Sequence, residues 1–186
     1  MTPDGQHSES INIEHPICIG LSCKSSLLCT YSLSPCLNLI MSLPLRALGR
    51  DGPQVTAVGL GFGSLGGFYG PAGTLDEKVA LLEHAHATGL RFWDMADIYA
   101  DSEDIVGEWF KRSAKRDDIF LATKFGLQHQ PDGKYTFRTD PEYVKIACEK
   151  SLQRLRVDAI DIYYCHRVDG ITPIEKTVEA MMELKE

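Results

Sequence analysis

Four side chains that can move or stabilise a proton stand at the ends of apolar segments of the sequence. Asp94 and Tyr99 follow one such segment, Lys124 lies near the end of the next, and His166 directly follows a third. The carboxyl ends of neighbouring parallel strands meet at one edge of a sheet, with about 4.8 Å between strands. If these segments are neighbouring strands, a carboxylate, a phenol, an ammonium and an imidazole converge on one pocket.

Such a set of groups suits chemistry at a carbonyl. A phenol has a pKa near 10, but a nearby ammonium stabilises the phenolate and lowers that pKa. A carboxylate can hold the ammonium in place, and an imidazole can donate a hydrogen bond to a carbonyl oxygen. Together these groups would polarise a carbonyl and protonate the developing alkoxide. They supply no reducing electrons, so a cofactor must bring the hydride.

Predicted strands and helices alternate from residue 54 onward. Short apolar segments predict strands over residues 54–60, 90–95, 119–125 and 159–165. Signals for helix starts fall between and after them. These signals are a capping box of Thr74 and Glu77, a cap at Asp101 or Ser102, Asp140 followed by Pro141, and a second capping box of Thr172 and Glu175.

Each predicted helix carries an apolar stripe at helical spacing, which is typical of a face that packs on a core. The first helix ends before Gly89, where a left-handed cap is expected. The stripes are Leu75, Val79, Leu82 and His86; Ile105, Val106, Trp109 and Phe110; Val144, Cys148, Leu152 and Leu155; and Ile174, Val178, Met181 and Met182.

Four consecutive β/α units indicate a parallel α/β sheet with right-handed crossovers. A doubly wound sheet and a (β/α)8 barrel both fit this pattern, and composition does not separate them. In either fold the chemistry collects at the C-terminal ends of the strands. The four candidate residues lie at such ends.

Composition and charge narrow the function classes. The chain has 186 residues, of which 44% are hydrophobic and 24% charged, as in ordinary globular proteins. Its 19 basic and 26 acidic residues give a formal net charge of −7, which disfavours nucleic acid or an anionic membrane as a partner. No stretch reaches the roughly 18 apolar residues of a membrane-spanning helix. We expect a cytoplasmic protein.

Residues 1–40 differ from the rest of the chain. They contain four of the six cysteines and a single cation, Lys24. The cysteine spacings fit no common zinc site, and the acidic start does not fit a signal peptide. We expect a poorly ordered extension over residues 1–40, added upstream of a natural start at Met41, and a folded domain over residues 41–186.

Three motifs in combination resemble the aldo-keto reductases. They lie at residues 92–103, 122–126 and 162–166, and they contain an Asp-x-Ala-x-x-Tyr element, a strand lysine and a strand-end histidine. The resemblance extends over roughly residues 43–186. It implies a TIM-type (β/α)8 barrel, truncated to about the first four β/α units, because a whole barrel needs about 200 residues or more.

The resemblance also implies roles for the candidate residues. Tyr99 is the general acid, Lys124 tunes its pKa, Asp94 pairs with Lys124, and His166 orients the carbonyl. The implied cofactor is NADP, usually as NADPH and bound without a Rossmann fold. The implied reaction is the reversible reduction of small-molecule aldehydes or ketones to alcohols.

Gly61 and Gly63, together with Asp94 and His166, are the expected cofactor-binding residues. Residues 61–66 match the dinucleotide fingerprint Gly-x-Gly-x-x-Gly, but the loop continues to Thr74 where a Rossmann helix should already have begun. We therefore do not expect a Rossmann site. The two glycines instead permit close approach of the backbone.

A long connection over residues 127–139 follows the third predicted strand and is expected to lie over the active site. It contains a turn signal, Pro131-Asp132-Gly133, and then Tyr135 and Phe137. With Arg167, these two aromatic residues are the expected substrate-binding residues. An ordinary surface excursion is the alternative interpretation.

No metal site is expected. His84 and His86 diverge on their helix, and strand alternation points Cys165 and His166 to opposite sides. The leading hypothesis is an NAD(P)H-dependent oxidoreductase. A non-catalytic cofactor-binding or regulatory protein on the same scaffold, and an inactive fragment lacking the cofactor-binding half, stay open. The sheet edges of a half-barrel would favour self-association.

Overall fold

The computed structural model describes residues 43–67, 69–71 and 73–185, which fall within a compact unit spanning Asn38–Glu186. The extension expected over residues 1–40 lies outside the described residues and stays a prediction. Everything below concerns the described part of the chain.

A hairpin opens the described chain. Strand β1 (Leu45–Ala47) pairs antiparallel with β2 (Gln54–Thr56), and β3 (Gly59–Gly61) follows. The prediction of one strand over residues 54–60 is therefore wrong, because the chain bends at residues 57 and 58. The Thr56 hydroxyl donates to the carbonyl of Val58 at 2.9 Å and accepts from the amide of Phe92 at 3.2 Å. Side chain–backbone bonds of this kind compete with the strand ladder.

Helices and strands then alternate as predicted. In chain order they are α1 (Leu75–Ala87), β4 (Phe92–Asp94), α2 (Ser102–Ser113), β5 (Phe120–Phe125), β6 (Leu127–His129), β7 (Tyr135–Phe137), α3 (Pro141–Leu155), β8 (Ile162–Cys165) and α4 (Ile174–Glu183). The expected long connection is a second antiparallel hairpin, β6–β7, that turns at Gly133.

The central sheet has the strand order β3-β4-β5-β8, and every pair in it is parallel. This confirms the predicted parallel sheet and the neighbourhood of the three strands that precede the candidate residues. Gly61 lies opposite Asp94, and Phe125 lies opposite Cys165, so the carboxyl ends of all four strands reach the same edge.

Side chains alternate between the two faces of this sheet. One face is buried under the helices, where Trp93 and Leu121 are fully enclosed. Their cluster also contains Phe62, Leu65, Leu82, Met95, Ile105, Val106, Trp109, Phe110, Ile119 and Leu155. Phe92 and Phe120 point to the other face, with ring centres 5.6 Å apart. Asp94 and Lys124 share that second face because they are two and four residues further along the same strands.

Most of the predicted helix starts are confirmed. The capping box of Thr74 and Glu77 is complete, and the Asp140 carboxylate accepts from the amide of Tyr143 at 3.0 Å. Gly89, just past α1, has a φ of +88°, as the left-handed cap requires. Asp101 is the N-cap of α2 by position, but its carboxylate makes no cap bond and pairs with Lys78 at 2.9 Å.

The second capping box, of Thr172 and Glu175, does not form. The N-cap of α4 is Pro173, and the Thr172 hydroxyl donates to Asp169 instead, at 2.8 Å. The same carboxylate accepts from the amides of Ile171 and Thr172. The hydroxyl that was expected to cap α4 is thus bound to the aspartate three residues before it, within a turn that this aspartate stabilises.

The stripe predicted for α4 is only partly a core face. The helix buries Thr177 and Ala180, and Met181 packs partly against the second core cluster, of Phe125, Val144, Ala147 and Ala180. Ile174, Val178 and Met182 are 46%, 49% and 54% exposed, respectively. The apolar residues of α4 therefore extend beyond the surface that α3 covers. In α2 and α3 the buried residues include most of the predicted stripe. In α1 only Leu82 and His86 of the stripe are buried, and Leu75, at the start of the helix, is 47% exposed.

The helices within the described ranges are all too short or too polar to cross a bilayer.

Candidate active site

Lys124 and Asp94 form an ion pair on the sheet face that the helices leave uncovered. Asp94 is the last residue of β4, and Lys124 lies one residue before the end of the neighbouring strand β5. The Lys124 ammonium donates to Asp94 Oδ1 and to the carbonyl oxygen of Met95, the latter at 2.7 Å. The two side chains are 16% and 36% exposed, so the pair is partly buried but still reached by solvent.

Two rings stand beside this pair. Tyr99 belongs to the connection between β4 and α2, and the Lys124 ammonium is 5.4 Å from the centre of its ring. His166 directly follows β8, and its amide donates to the carbonyl of Phe125 at 2.8 Å. The rings of His166 and Tyr99 meet edge to face with centres 6.0 Å apart. The structure thus brings the four predicted residues together at one edge of the sheet.

The pKa of Tyr99 moves in the direction opposite to our expectation. Burial of the phenol raises it first, the nearby Asp94 carboxylate raises it further, and Tyr69 adds to the rise. The positive charge of Arg167 acts against them. The predicted lowering is therefore wrong for this arrangement. Lys124 is paired with Asp94, so the ammonium near the phenol is accompanied by a carboxylate whose negative charge raises the pKa of Tyr99.

The imidazole of His166 is held in its neutral form. Burial lowers its pKa to about 4, and the charges of Lys124 and Arg167 act in the same direction. Its Nδ1 atom is buried and has no hydrogen-bond partner within the described residues. Neutral imidazole carries one N–H, so it can donate a hydrogen bond to an uncharged oxygen at neutral pH.

Gly66 supports the tyrosine, and sequence reasoning missed this role. A Cβ at residue 66 would fall well inside van der Waals contact with the carbonyl of Tyr99. Only glycine lets the loop after β3 lie directly against the turn that carries the phenol. The sequence does mark Gly66 as the last glycine of the fingerprint-like segment. Its contact with Tyr99 could not be predicted, because Tyr99 lies 33 residues further along the chain.

The two glycines that we predicted for cofactor binding are less crowded. A Cβ at Gly61 would meet no described atom within 4 Å, and one at Gly63 would lie 3.3 Å from a ring carbon of Tyr69. No helix opens within this segment, because α1 begins only at Leu75. This confirms the expectation that the glycine run is not a Rossmann turn.

The predicted substrate residues lie around the strand-end edge. Tyr135 and Phe137 are both in β7 and are each 44% exposed. Their hairpin continues directly from β5 through Gly126, whose carbonyl accepts from the amide of Arg138 at 2.9 Å. Arg167 is exposed and affects the pKa values of Tyr99 and His166, which places its charge near both rings. A role for these three residues in substrate binding stays a prediction.

Cys165 and His166 do not form a pair. The Cys165 side chain packs against the cluster around Phe125, and its Sγ lies 3.3 Å from the carbonyl of Arg167. The His166 ring faces Tyr99 instead. Within the described residues there is no group of three or more histidine, cysteine, aspartate or glutamate side chains arranged to hold a metal ion.

The arrangement can position a carbonyl and deliver a proton to it. The phenol is a proton donor that stays protonated at neutral pH, the ammonium and carboxylate set the local charge, and the neutral imidazole can orient an oxygen. Asp94, Lys124 and His166 lie at the ends of neighbouring strands, so the strands fix the spacing between them, whereas Tyr99 is carried by the turn that follows β4.

The chain is similar to known proteins over most of the described region. A family model for the Aldo/keto reductase family matches residues 57–186. The aldo-keto reductase str7 of Strobilurus tenacellus is 50% identical over 151 residues, which cover 77% of this chain and 42% of that protein. The aldo-keto reductase yakc of Schizosaccharomyces pombe, whose name carries NADP(+), is 42% identical over 149 residues, covering 78% and 43%.

Solved structures agree with the sequence comparisons. Aldo-keto reductase AKR11C1 from Bacillus halodurans, in its holo form, superimposes with a TM-score of 0.67 at 33% identity, covering 77% of this chain and 46% of that one. This chain thus spans less than half the length of these relatives. Its parallel sheet and helices correspond to part of their (β/α)8 barrel, as predicted. The chain belongs to the Aldo/keto reductase family.

Proposed function

We propose that the protein reduces aldehydes or ketones to alcohols with a nicotinamide cofactor, and that Tyr99 is the general acid. The observation that carries this proposal is the convergence of Tyr99, His166 and the Lys124–Asp94 pair at one strand-end edge. The similarity to an aldo-keto reductase whose name carries NADP(+) supports NADP as the cofactor. NADPH, when bound, supplies the hydride.

The chain's own residues manage the proton. Tyr99 keeps its proton on the phenol at neutral pH, because burial and Asp94 raise its pKa. The substrate oxygen becomes an alkoxide as it is reduced, and an alkoxide is basic enough to take that proton. Lys124 lies beside the Tyr99 ring, and the positive charge of Arg167 partly offsets the effects of burial and Asp94, which favours the phenolate that remains. Neutral His166 donates a hydrogen bond that orients the carbonyl towards Tyr99.

Four residues are proposed to contact the cofactor: Gly61, Gly63, Asp94 and His166. They fit such a group in two respects. The Nδ1 atom of His166 is buried without a described partner, and the backbone at Gly61 is uncrowded by described atoms. Tyr135, Phe137 and Arg167 are proposed to contact a small-molecule carbonyl substrate. Their aromatic and cationic side chains stand on the connections that leave β5 and β8.

A second candidate function is binding without turnover. The curated relatives are more than twice as long as the part of them that this chain matches, which covers 42% and 43% of their lengths. A cofactor-binding or regulatory protein on the same scaffold would then retain the Tyr99 site without using it.

The test is a fluorescence titration with NADPH, followed by measurement of NADPH oxidation with 4-nitrobenzaldehyde. Tyr99→Phe should lower kcat by at least about 100-fold, since it removes the general acid, and should leave the NADPH Kd nearly unchanged. Tyr143→Phe is the matched control, because it removes a half-buried phenol of α3 that packs against the cluster around Phe125. Binding without oxidation by the wild-type chain would favour the second candidate, and full activity of Tyr99→Phe would remove Tyr99 from the acid role.

A further inference from the structure

We propose that Arg154 is the positioning residue of the general acid: its guanidinium holds the backbone turn that presents Tyr99. This inference rests on the proposed function for its catalytic meaning. The structural claim itself concerns where the Tyr99 turn sits, and it can be measured without turnover.

Arg154 donates hydrogen bonds to the backbone of the turn on both sides of Tyr99. It lies near the end of α3, with 17% of its side chain exposed. Its Nη1 donates to the carbonyl of Asp97 at 3.1 Å, and its Nη2 donates to the carbonyl of Ala100. One carbonyl is two residues before Tyr99 and the other is one residue after it. A single planar guanidinium therefore fixes both ends of a short turn, which a point-like ammonium does less well.

The turn needs such support because its backbone is strained. Ala100 has a φ of +46°, in the left-handed region that residues other than glycine seldom adopt. The other described non-glycine residues with positive φ are Ala114 and Arg156, and both are C-caps of helices, where this conformation is common. Ala100 precedes a helix instead. Its own carbonyl is the acceptor for Arg154, so the hydrogen bond acts on the strained residue itself.

Buried and exposed acids hold Arg154 in place. Its Nε donates to the exposed Asp104 carboxylate at 2.8 Å. Its Nη1 lies 3.0 Å from Oε2 of Glu103, a side chain with no exposed surface. The other oxygen of Glu103 accepts from the hydroxyl of Thr123 at 2.7 Å. Thr123 directly precedes Lys124 on β5, so one chain of contacts links the Tyr99 turn to the strand that carries the site lysine.

Other arginines near α2 lack this arrangement. Arg112 forms ion pairs with Glu108 and Asp76 on the surface, and none of its hydrogen bonds in the described structure goes to the backbone of the turn. A lysine at residue 154 would keep the charge opposite Glu103 but could not reproduce the paired bonds to the two carbonyls. We therefore expect Arg154→Lys to shift the turn while Arg112→Lys leaves it in place.

The experiment follows the resonance of the Tyr99 ring directly. The full chain is labelled with ¹³C at the tyrosine ζ carbon, and the Tyr99 resonance is identified by its loss in Tyr99→Phe. We expect Arg154→Lys to change the chemical shift and the titration midpoint of this resonance, and Arg112→Lys to leave both unchanged. In NADPH-dependent carbonyl reduction, Arg154→Lys should lower kcat by about tenfold or more with a change in KM under about twofold, because a misplaced acid slows proton transfer.

The outcomes separate the two proposals. A wild-type chain without turnover, combined with a shifted Tyr99 resonance in Arg154→Lys, would refute the proposed function and support the positioning role. An unshifted resonance in a folded Arg154→Lys chain would overturn the positioning role, whatever happens to kcat. If Arg154→Lys does not fold, Glu103→Gln replaces it. That variant keeps a partner for Thr123 but removes the charge that holds Arg154, so the resonance should shift, and an unchanged resonance would again overturn the inference.

Discussion

His166 makes the stability of the folded chain depend on pH at the acid side. Burial lowers its pKa to about 4 in the folded state, whereas an unfolded histidine titrates near 6.5. Between these values the unfolded state binds more protons, so the free energy of unfolding falls as the pH falls from about 6.5 to 4. We expect His166→Gln to remove about 1 kcal/mol of this loss, a figure that allows for the partly exposed ring.

Urea unfolding of the wild-type protein and of His166→Gln between about pH 4 and 6.5 measures this difference in the free energy of unfolding. His84→Gln serves as the control because His84 is exposed on α1. An unchanged pH dependence in His166→Gln would mean that the ring is solvated in the folded state and would weaken its assignment as a neutral hydrogen-bond donor.

Asp97, two residues before Tyr99, should act in the opposite sense. Burial raises its pKa to about 7, and the buried Glu103 contributes to the rise. The folded state therefore holds a proton that an unfolded aspartic acid loses near pH 3.9, and stability falls as the pH rises between these values. Asp97→Asn mimics the protonated acid and should stabilise the chain by about 2 kcal/mol at pH 8, with a smaller gain towards pH 4.

Chemical unfolding at several pH values tests this prediction, with the exposed Asp51→Asn as a control. A gain that is the same at every pH would show that the substitution acts through packing rather than through ionisation. Lys150 and Arg154 also face this carboxyl and partly offset its cost, so the gain reflects the balance of all four charges.

At the residue scale the sequence was informative where a side chain's place followed from its strand. Asp94, Lys124 and His166 end neighbouring parallel strands, and that alone predicts that they meet. The direction of the Tyr99 pKa shift did not follow, because it depends on how much solvent reaches the phenol and on how near Asp94 lies. Gly66 and Arg154 were also missed. Their contacts with the Tyr99 turn join residues far apart in the chain, and neither periodicity nor local motifs encode such contacts.

Helices α2 and α3 cross at Gly107, and this contact belongs to the scale of elements. A Cβ at Gly107 would fall well inside contact with the carbonyl of Arg154 and 3.0 Å from the carbonyl carbon of Leu155. Gly107→Ala should therefore destabilise the chain by about 1–3 kcal/mol, the usual cost of overpacking a well-packed contact. At an exposed helix position the same substitution would stabilise the chain by up to about 1 kcal/mol. The sign of the stability change therefore distinguishes a tight contact at Gly107 from an exposed position.

Urea unfolding decides between them, and Lys111→Ala, on the exposed side of α2, is the control. A stabilised Gly107→Ala chain would mean that α3 does not approach α2 at this point. It would also remove support for the position of Arg154, because the carbonyl of residue 154 is the atom that the new methyl group would strike.

Periodicity predicted helix faces well only where a partner element covers them. Ile105, Val106, Trp109 and Phe110 all lie in the core, as the spacing of α2 indicates. In α4 the same spacing identified apolar residues that remain exposed. The first strand prediction failed for a related reason, since the Thr56 hydroxyl takes part in a bend that apolar alternation cannot show.

Two strand edges and several apolar side chains are uncovered within the described residues, and we propose that they favour self-association. Strands β3 and β8 are the outer strands of the central sheet within the described residues, and each has one ladder edge that no described strand pairs with. On α4, Ile174, Val178 and Met182 form an exposed stripe at helical spacing. Contiguous apolar patches of this kind commonly mark contact surfaces. We predict that the average mass in solution rises with protein concentration.

Val178→Lys combined with Met182→Lys should reduce that rise, because two charges in the stripe would have to be desolvated in any contact that buries it. Gln153→Lys combined with Thr136→Lys adds the same charge at exposed positions outside the stripe and should leave association unchanged. Sedimentation velocity over a range of concentrations measures both variants. If the first pair leaves association unchanged, the strand edges rather than α4 make the contact, and a wild-type chain that stays at the monomer mass of 20.7 kDa at every concentration contradicts the prediction outright.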